Sequence, residues 1–239
     1  MALWNPIKNI CLDLLYPRQC VGCKIQDSWF CDHCASLIKK IEQKKCYICK
    51  KPHPEGTTCS EHFTERTLNK LLVGAHYSAN PVLGDAIHEF KYNRHPEDIA
   101  TKLGHLLSST LTHHLLSSYS SCSFILIPVP LHTSRLKERG FNQAKLLADE
   151  VSKLHKIPLP DSNLLTRQKH TTSQVQSGTR QARLENLKDA FTTTKKADPN
   201  AIYILIDDVT TTGSTLEECC QVLRKAGAKE VWGLVLARN

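Results

Sequence analysis

The sequence predicts an α/β protein in which a mostly parallel sheet carries helices on both faces and a small cysteine-rich module precedes it. Three observations predict this. After His62, short apolar runs alternate with stretches whose apolar residues recur at helical spacing. Two runs, Ile202 to Asp207 and Val231 to Ala237, bracket one helix and are the clearest strands in the chain. Eight of the eleven cysteines lie before residue 60, so the chain divides into residues 1–66 and a body of residues 67–239. At 239 residues it is long enough to bury a full core beside a small module.

Leu3, Trp4, Ile7, Ile10, Cys11, Leu14 and Leu15 fall at helical spacing between Met1 and Pro17, which predicts a short amphipathic helix packed on the body. This segment lacks the continuous apolar run and small-residue cleavage site of a signal peptide. No stretch of about eighteen apolar residues exists, so no transmembrane segment is expected.

The next cysteines form a regular series: Cys20-x2-Cys23, Cys31-x2-Cys34, Cys46-x2-Cys49 and Cys59-x2-His62. Two ligands two residues apart make a knuckle aimed at one metal, and two knuckles complete a tetrahedral shell, so four knuckles predict two structural zinc ions. Sequential pairing places Cys20, Cys23, Cys31 and Cys34 on one ion and Cys46, Cys49, Cys59 and His62 on the other. An interleaved cross-brace would use the same ligands, and His53 could stand in for His62. Trp29, Phe30, Tyr47 and Phe63 lie among the ligands, either as the core of the module or as stacking platforms for single-stranded nucleic acid.

In the body, Leu71 to Tyr77 reads as a strand. Asn80-Pro81 reads as an N-cap and first-turn proline opening a helix that runs through Lys91. A longer helix follows Pro96, with Ile99, Leu103, Leu106, Leu107 and Leu111 on one face. Ser117 to Ser123 is a polar break. Phe124 to Val129 is a strongly apolar strand ending at Pro130, and Asn142 to Leu154 is a helix. Asn163 to Thr166 and Ala190 to Thr193 are further strands. Between Pro128-Val129-Pro130-Leu131 and the Asn142 helix, a loop carries Arg135 and Arg139. Guanidinium forks beside a helix N-terminus suit a pyrophosphate. The segment from Arg167 through Lys169 and Gln174 is polar and aperiodic, so it should be mobile. Arg180 and Arg183 then lie three apart on a helix face. This basic stretch could close over a bound anion or meet nucleic acid.

The run Tyr203-Ile204-Leu205-Ile206-Asp207-Asp208 followed by Val209-Thr210-Thr211-Thr212-Gly213-Ser214-Thr215 concentrates the most chemistry. A buried strand delivers two carboxylates and a phosphate-sized nest of backbone N–H groups to one point. Ser214-Thr215-Leu216-Glu217 is a capping-box pattern, so a helix opens there and its N-terminus favours an anion. Paired carboxylates beside that anion need donors, and the vicinal hydroxyls of a ribose supply them. The formal net charge of +8, from 31 Lys and Arg against 23 Asp and Glu, suits anionic partners generally and singles out none.

This last run resembles the phosphoribosyl pyrophosphate (PRPP) motif of type I phosphoribosyltransferases. The resemblance implies that Asp207 and Asp208 bind the ribose hydroxyls and that Thr211, Thr212, Gly213, Ser214 and Thr215 hold the 5′-phosphate. Thr210 departs mildly from the aliphatic residue usual there. Thr211 stands where members acting on 6-oxopurines carry an aspartate, which argues against hypoxanthine or guanine as acceptor.

With the N-terminal cysteine series, Lys91-Tyr92 at a helix end, Arg139-Gly140-Phe141-Asn142-Gln143 after the Pro-Val-Pro loop, and Gln174, Arg180, Asn186 and Phe191, the chain is similar to the ComF family from Cys20 to Arg238. Membership implies a type I phosphoribosyltransferase fold with a zinc-ribbon-like module. It also implies a cytoplasmic role in DNA uptake during natural competence, alongside a helicase and a recombination mediator. The expected chemistry is transfer of ribose-5-phosphate from PRPP with Mg2+, using Asp207, Asp208, Arg135 and Arg139. Pro130 and Leu131 complete the pyrophosphate loop, and Arg167, Lys169 and Gln174 form the flexible loop. Binding of PRPP or single-stranded DNA without turnover is the alternative.

Overall fold

The computed structural model describes residues 17–41, 45–49, 51–53, 57–63, 67–93, 95–115, 122–160, 164–168 and 189–238. The N-terminal amphipathic helix, Lys169, Gln174, Arg180, Arg183 and Asn186 lie outside them. So does most of the polar break at residues 117–123.

Apolar runs after residue 67 form β1 (Lys70–His76), β2 (Ser123–Pro128), β5 (Ala201–Thr210) and β6 (Glu230–Arg238). These strands make one parallel sheet in the order β1-β6-β5-β2. Alternation along β5 sends Ile202, Ile204 and Ile206 to one face and Tyr203 and Leu205 to the other, all buried. Helices α3 (Pro81–Tyr92), α4 (Pro96–Leu115) and α6 (Gln143–His155) cover the first face through Leu83, Ile87, Leu103, Leu107 and Leu147. Helix α7 (Ser214–Lys225) covers the second through Leu216, Cys219, Cys220 and Leu223. The two-faced parallel sheet is the expected one.

Two expectations need correction. The strands at residues 163–166 and 190–193 are only β3 (Thr166–Arg167) and β4 (Phe191–Thr192), an antiparallel pair in a separate sheet. Arg135 and Arg139 sit on a helix, α5 (Thr133–Arg139), and not on a loop. His132 caps that helix by accepting from the Ser134 N–H, and Gly140 ends it at φ 81°, a left-handed conformation that costs glycine nothing.

In the N-terminal region α1 (Asp32–Ser36) and α2 (Ser60–Phe63) are short. Cys20, Phe30, Cys34 and Ile38 join the same core cluster as Leu83 and Ile87, so the first half of the module packs on α3 and shares its core. Its second half runs along the outer edge of β1, where Ile41 N–H donates to Gly74 O at 3.0 Å and Thr58 N–H to Asn69 O at 2.9 Å. Asn80 does not cap α3 with its side chain. Its amide instead accepts from Lys39 N–H at 2.7 Å and donates to Lys39 O and His76 O, stitching the module to the body. No helix among the described residues is long and apolar enough to cross a membrane.

Candidate functional site

Asp207 and Asp208 lie near the carboxyl end of β5, the central strand that delivers them to the site edge. Asp208 N–H donates to Asp207 Oδ1 at 2.9 Å, and Val209 N–H to Asp208 Oδ1 at 2.7 Å, so local backbone fixes both carboxylates. Lys91, in the last turn of α3, places Nζ 2.8 Å from Asp208 Oδ2. Withdrawal from water, then the neighbouring Asp208 charge, push the Asp207 carboxyl up to about 8, with Lys91 acting the other way.

That shift has a pH consequence. The Asp207 carboxyl ionises near 3.8 when exposed but near 8 in the fold, so its cost to stability is absent below about pH 3.8, grows as pH rises, and is complete above about pH 8. Asparagine at 207 does not titrate. The thermal midpoint of Asp207→Asn, relative to wild type, should therefore climb between about pH 4 and pH 8 and then level off. A difference that stays flat across this window would show that the carboxyl is ionised throughout.

After β5 the chain turns through Thr211 and Thr212 to Gly213, whose φ of 80° makes it a left-handed N-cap for α7. Thr212 Oγ1 accepts from Ser214 N–H at 3.3 Å and lies 2.7 Å from Ser214 Oγ. Thr211 is exposed while Ser214 is buried. The strand, glycine turn and helix N-terminus are as the sequence predicts, but the capping box is not formed. Glu217 is buried, and its carboxylate turns away from the helix start to accept from the Tyr47 hydroxyl, the Thr67 N–H and hydroxyl, and the Leu68 N–H. A buried charge settles where the most donors converge, and four converge here.

Besides Lys91, one further cation from another element acts on the carboxylates, Arg167 at longer range. Arg167 on β3 is drawn below its ordinary value by burial and by the nearby Arg135 charge, while Asp207 and Cys219 oppose this. Arg135 on α5 and Asp207 on β5 are thus both within electrostatic reach of Arg167. Arg139 lies over the Tyr92 ring, 5.6 Å from its centroid. Asn142 caps α6 by accepting from Ala144 N–H at 3.0 Å and donates to Val129 O at 3.1 Å, which pins the helix to the loop after β2. Phe141 packs on Phe90 at 6.2 Å, and Gln143 is buried. Pro130 and Asn142 also line a cavity of about 420 Å³ with Pro128, Lys145 and Leu165. Leu131 follows in the same half-buried loop. Sequence reasoning noted Lys91 without giving it a partner. Its signal is a lysine closing an amphipathic helix.

The cysteines and His62 gather into two groups: Cys20, Cys23, Cys31 and Cys34, and Cys46, Cys49, Cys59 and His62, with ligand atoms within 4.8 Å of one another in each. This is the sequential pairing. His53 is held instead by Thr57, with Nδ1 2.5 Å from Oγ1. Tetrahedral zinc with sulfur at about 2.3 Å needs sulfurs roughly 3.8 Å apart. Cys20 to Cys31 is 3.5 Å, Cys23 to Cys31 is 3.6 Å and Cys49 to Cys59 is 3.9 Å, so the donors fit zinc in kind and spacing. Burial pushes the Cys20 thiol up, but backbone N–H groups of Cys31, Cys23 and Gly22 outweigh it and draw it down to about 6, favouring the metal-binding thiolate. Phe30 and Tyr47 are buried in cores shared with the body, so neither is an open stacking platform. The side chain of Phe63 is outside the described set.

Two families of known proteins match separate parts of the chain. Residues 11–62 match the double zinc ribbon domain, and residues 136–239 match the phosphoribosyl transferase domain. Competence protein F of Haemophilus influenzae is 34% identical over 224 residues, covering 91% of this chain and 90% of that protein. Competence protein ComFC of Bacillus subtilis is 29% identical, covering 89% and 85%. DNA utilization protein YhgH of Escherichia coli O6:H1 is 36% identical, covering 69% and 71%. The body is a phosphoribosyltransferase-like α/β fold behind a zinc ribbon region, and with this identity running through both parts the chain belongs to the ComF family of competence proteins.

Proposed function

We propose that the protein binds PRPP at the β5–α7 turn, transfers ribose-5-phosphate to an acceptor, and serves DNA uptake or utilisation in the cytoplasm. The observation that carries this is the Asp207-Asp208 pair at the end of a central parallel strand, held by Lys91 and followed directly by a glycine-turned helix N-terminus. In this reading the carboxylates accept from the ribose hydroxyls while residues 211–215 take the 5′-phosphate through backbone N–H and hydroxyl groups. Arg135 and Arg139, with the loop at Pro130 and Leu131, take the pyrophosphate. Arg167, on β3 and not on a flexible loop, closes that side, with Lys169 and Gln174 as further ligands.

The C1′–O bond to pyrophosphate breaks as the bond from C1′ to the acceptor forms. Pyrophosphate leaves with the bonding electrons and the acceptor gives its proton to solvent. Negative charge grows on the leaving oxygens, where Arg135 and Arg139 stabilise it. Mg2+ entering with PRPP would neutralise pyrophosphate oxygens and sit near the carboxylate pair. Lys91 holds Asp208 in place before the ligand arrives. The two cysteine-rich groups hold structural zinc, since four protein donors leave no open position for water. The role in DNA uptake rests on the names of the relatives, competence protein and DNA utilization protein, while single-stranded DNA, a helicase and a recombination mediator enter as partners only through the family resemblance.

Calorimetric titration of PRPP with Mg2+ into native protein and into Asp207→Asn/Asp208→Asn tests the reading. The native protein should bind, and the variant should lose at least about 100-fold in affinity, because several hydrogen bonds to charged acceptors disappear together. Absence of binding to folded, zinc-loaded native protein would end the proposal.

A further inference from the structure

Glu217 does not serve the helix start that its sequence position suggests, and its partners lead to the second metal cluster. Tyr47 lies inside that cluster's first knuckle, Cys46-Tyr47-Ile48-Cys49, and is buried. Its hydroxyl donates to Glu217 Oε1 in the first turn of α7, just after the phosphate-binding turn. Its backbone carbonyl accepts from Arg238 Nη1 at 2.6 Å. Arg238 ends β6 and pairs in register with Thr210, the last residue of β5 before the same turn. Arg238 also lies over the Tyr47 ring, 5.9 Å from the centroid. One knuckle residue therefore holds the chain directly just after residues 211–213 and, through Arg238, the strand paired with the residue just before them. The first cluster shares its core with α3 instead, beside Leu83 and Ile87.

We propose that Tyr47 and Glu217 are positioning residues that couple the second cysteine–histidine cluster to the phosphate-binding turn, so that metal in that cluster and an anionic sugar phosphate at the turn each strengthen binding of the other. The inference rests on PRPP as ligand of the turn. Its physical basis is reciprocity: if the loaded knuckle holds the turn in its binding shape, occupation of the turn must hold the knuckle loaded by the same factor. The coupling passes through two side chains and one carbonyl, and the first cluster has no part in it.

Alkylation of individual cysteines, read by peptide mass spectrometry in the presence of a zinc-selective chelator, reports each cluster separately. PRPP with Mg2+ should slow modification of Cys49 and Cys59 in the zinc-loaded native protein by about 5-fold or more, and leave Cys23 and Cys31 within about 2-fold. Tyr47→Phe keeps the ring and loses only the hydroxyl. It should retain both metals, bind PRPP about 5-fold to 20-fold more weakly, and lose the selective protection. Glu217→Gln, which keeps the side-chain volume, should lose it as well and serves if Tyr47→Phe loads metal poorly. Packing alone would protect both clusters equally or neither, and either result overturns the coupling, as does protection that survives in both variants. Calorimetry on the same native sample separates the failures. Binding with unselective protection removes this inference only, whereas no binding removes the PRPP reading and this one with it.

Discussion

Stripped of metal by a strong chelator, the protein is expected to lose its cooperative thermal transition and to bind a hydrophobic dye, because the first cluster is part of the main core. Cys20 and Cys34 pack in one apolar cluster with Phe30, Ile38, Leu83 and Ile87. Without a cation, sulfurs held 3.5 to 3.9 Å apart must either repel as thiolates or be protonated in place. Structural zinc contributes an apparent 10–16 kcal/mol per site in small zinc modules, whereas a whole domain is stable by only about 5–15 kcal/mol. Circular dichroism melts with parallel zinc analysis measure this. A midpoint that falls by less than about 5 °C after complete removal would show that the module's apolar contacts suffice without metal.

Glu217→Ala should lower the stability of the zinc-loaded protein by about 3–5 kcal/mol, an effect large enough to unfold a marginal domain. The carboxylate takes hydrogen bonds from the Tyr47 hydroxyl, the Thr67 N–H and hydroxyl and the Leu68 N–H. Leu68 is fully buried and Tyr47 nearly so, and neither donor reaches water easily when its acceptor is removed. Each orphaned buried donor costs about 1–3 kcal/mol, and a methyl group in place of the carboxylate also leaves space. The midpoint of urea denaturation at constant slope reads the change directly. A loss below about 1 kcal/mol would mean that solvent enters and satisfies the donors.

The same residue shows where reading the sequence stops. Ser214 to Glu217 and Asn80-Pro81 both carry the local signature of a helix cap, and both helices start where expected. In each case the side chain that should complete the cap has gone elsewhere. Asn80 bonds to Lys39 and His76, and Glu217 to Tyr47, Thr67 and Leu68, partners that in the Glu217 case lie about 150 residues away or more. Local pattern locates a helix end, but only tertiary proximity decides which donors a side chain meets. The two cysteine-rich groups and the Asp207-Asp208 turn were legible because their geometry is set within short stretches of chain. Helix α5 was missed because seven residues are too few for a helical period to register. Strand order was illegible for the same kind of reason: β1 pairs with β6, and nothing near either strand specifies the other.

That strand order gives the zinc region a task during synthesis. On one side β1 waits for β6, which the ribosome makes more than 150 residues later, and a long apolar strand left open meanwhile is a template for association. Residues 40–41 and 57–58, which bond to the other side of β1 through Gly74 and Asn69 and bridge to Ala75 and Lys70, have already emerged when β1 appears. A metal-loaded ribbon can therefore dock against the nascent strand at once, with short loops to close. Those contacts cover one edge of β1 before β6 exists, so zinc supply during translation, more than zinc content afterwards, is expected to govern how much of the chain reaches its native sheet.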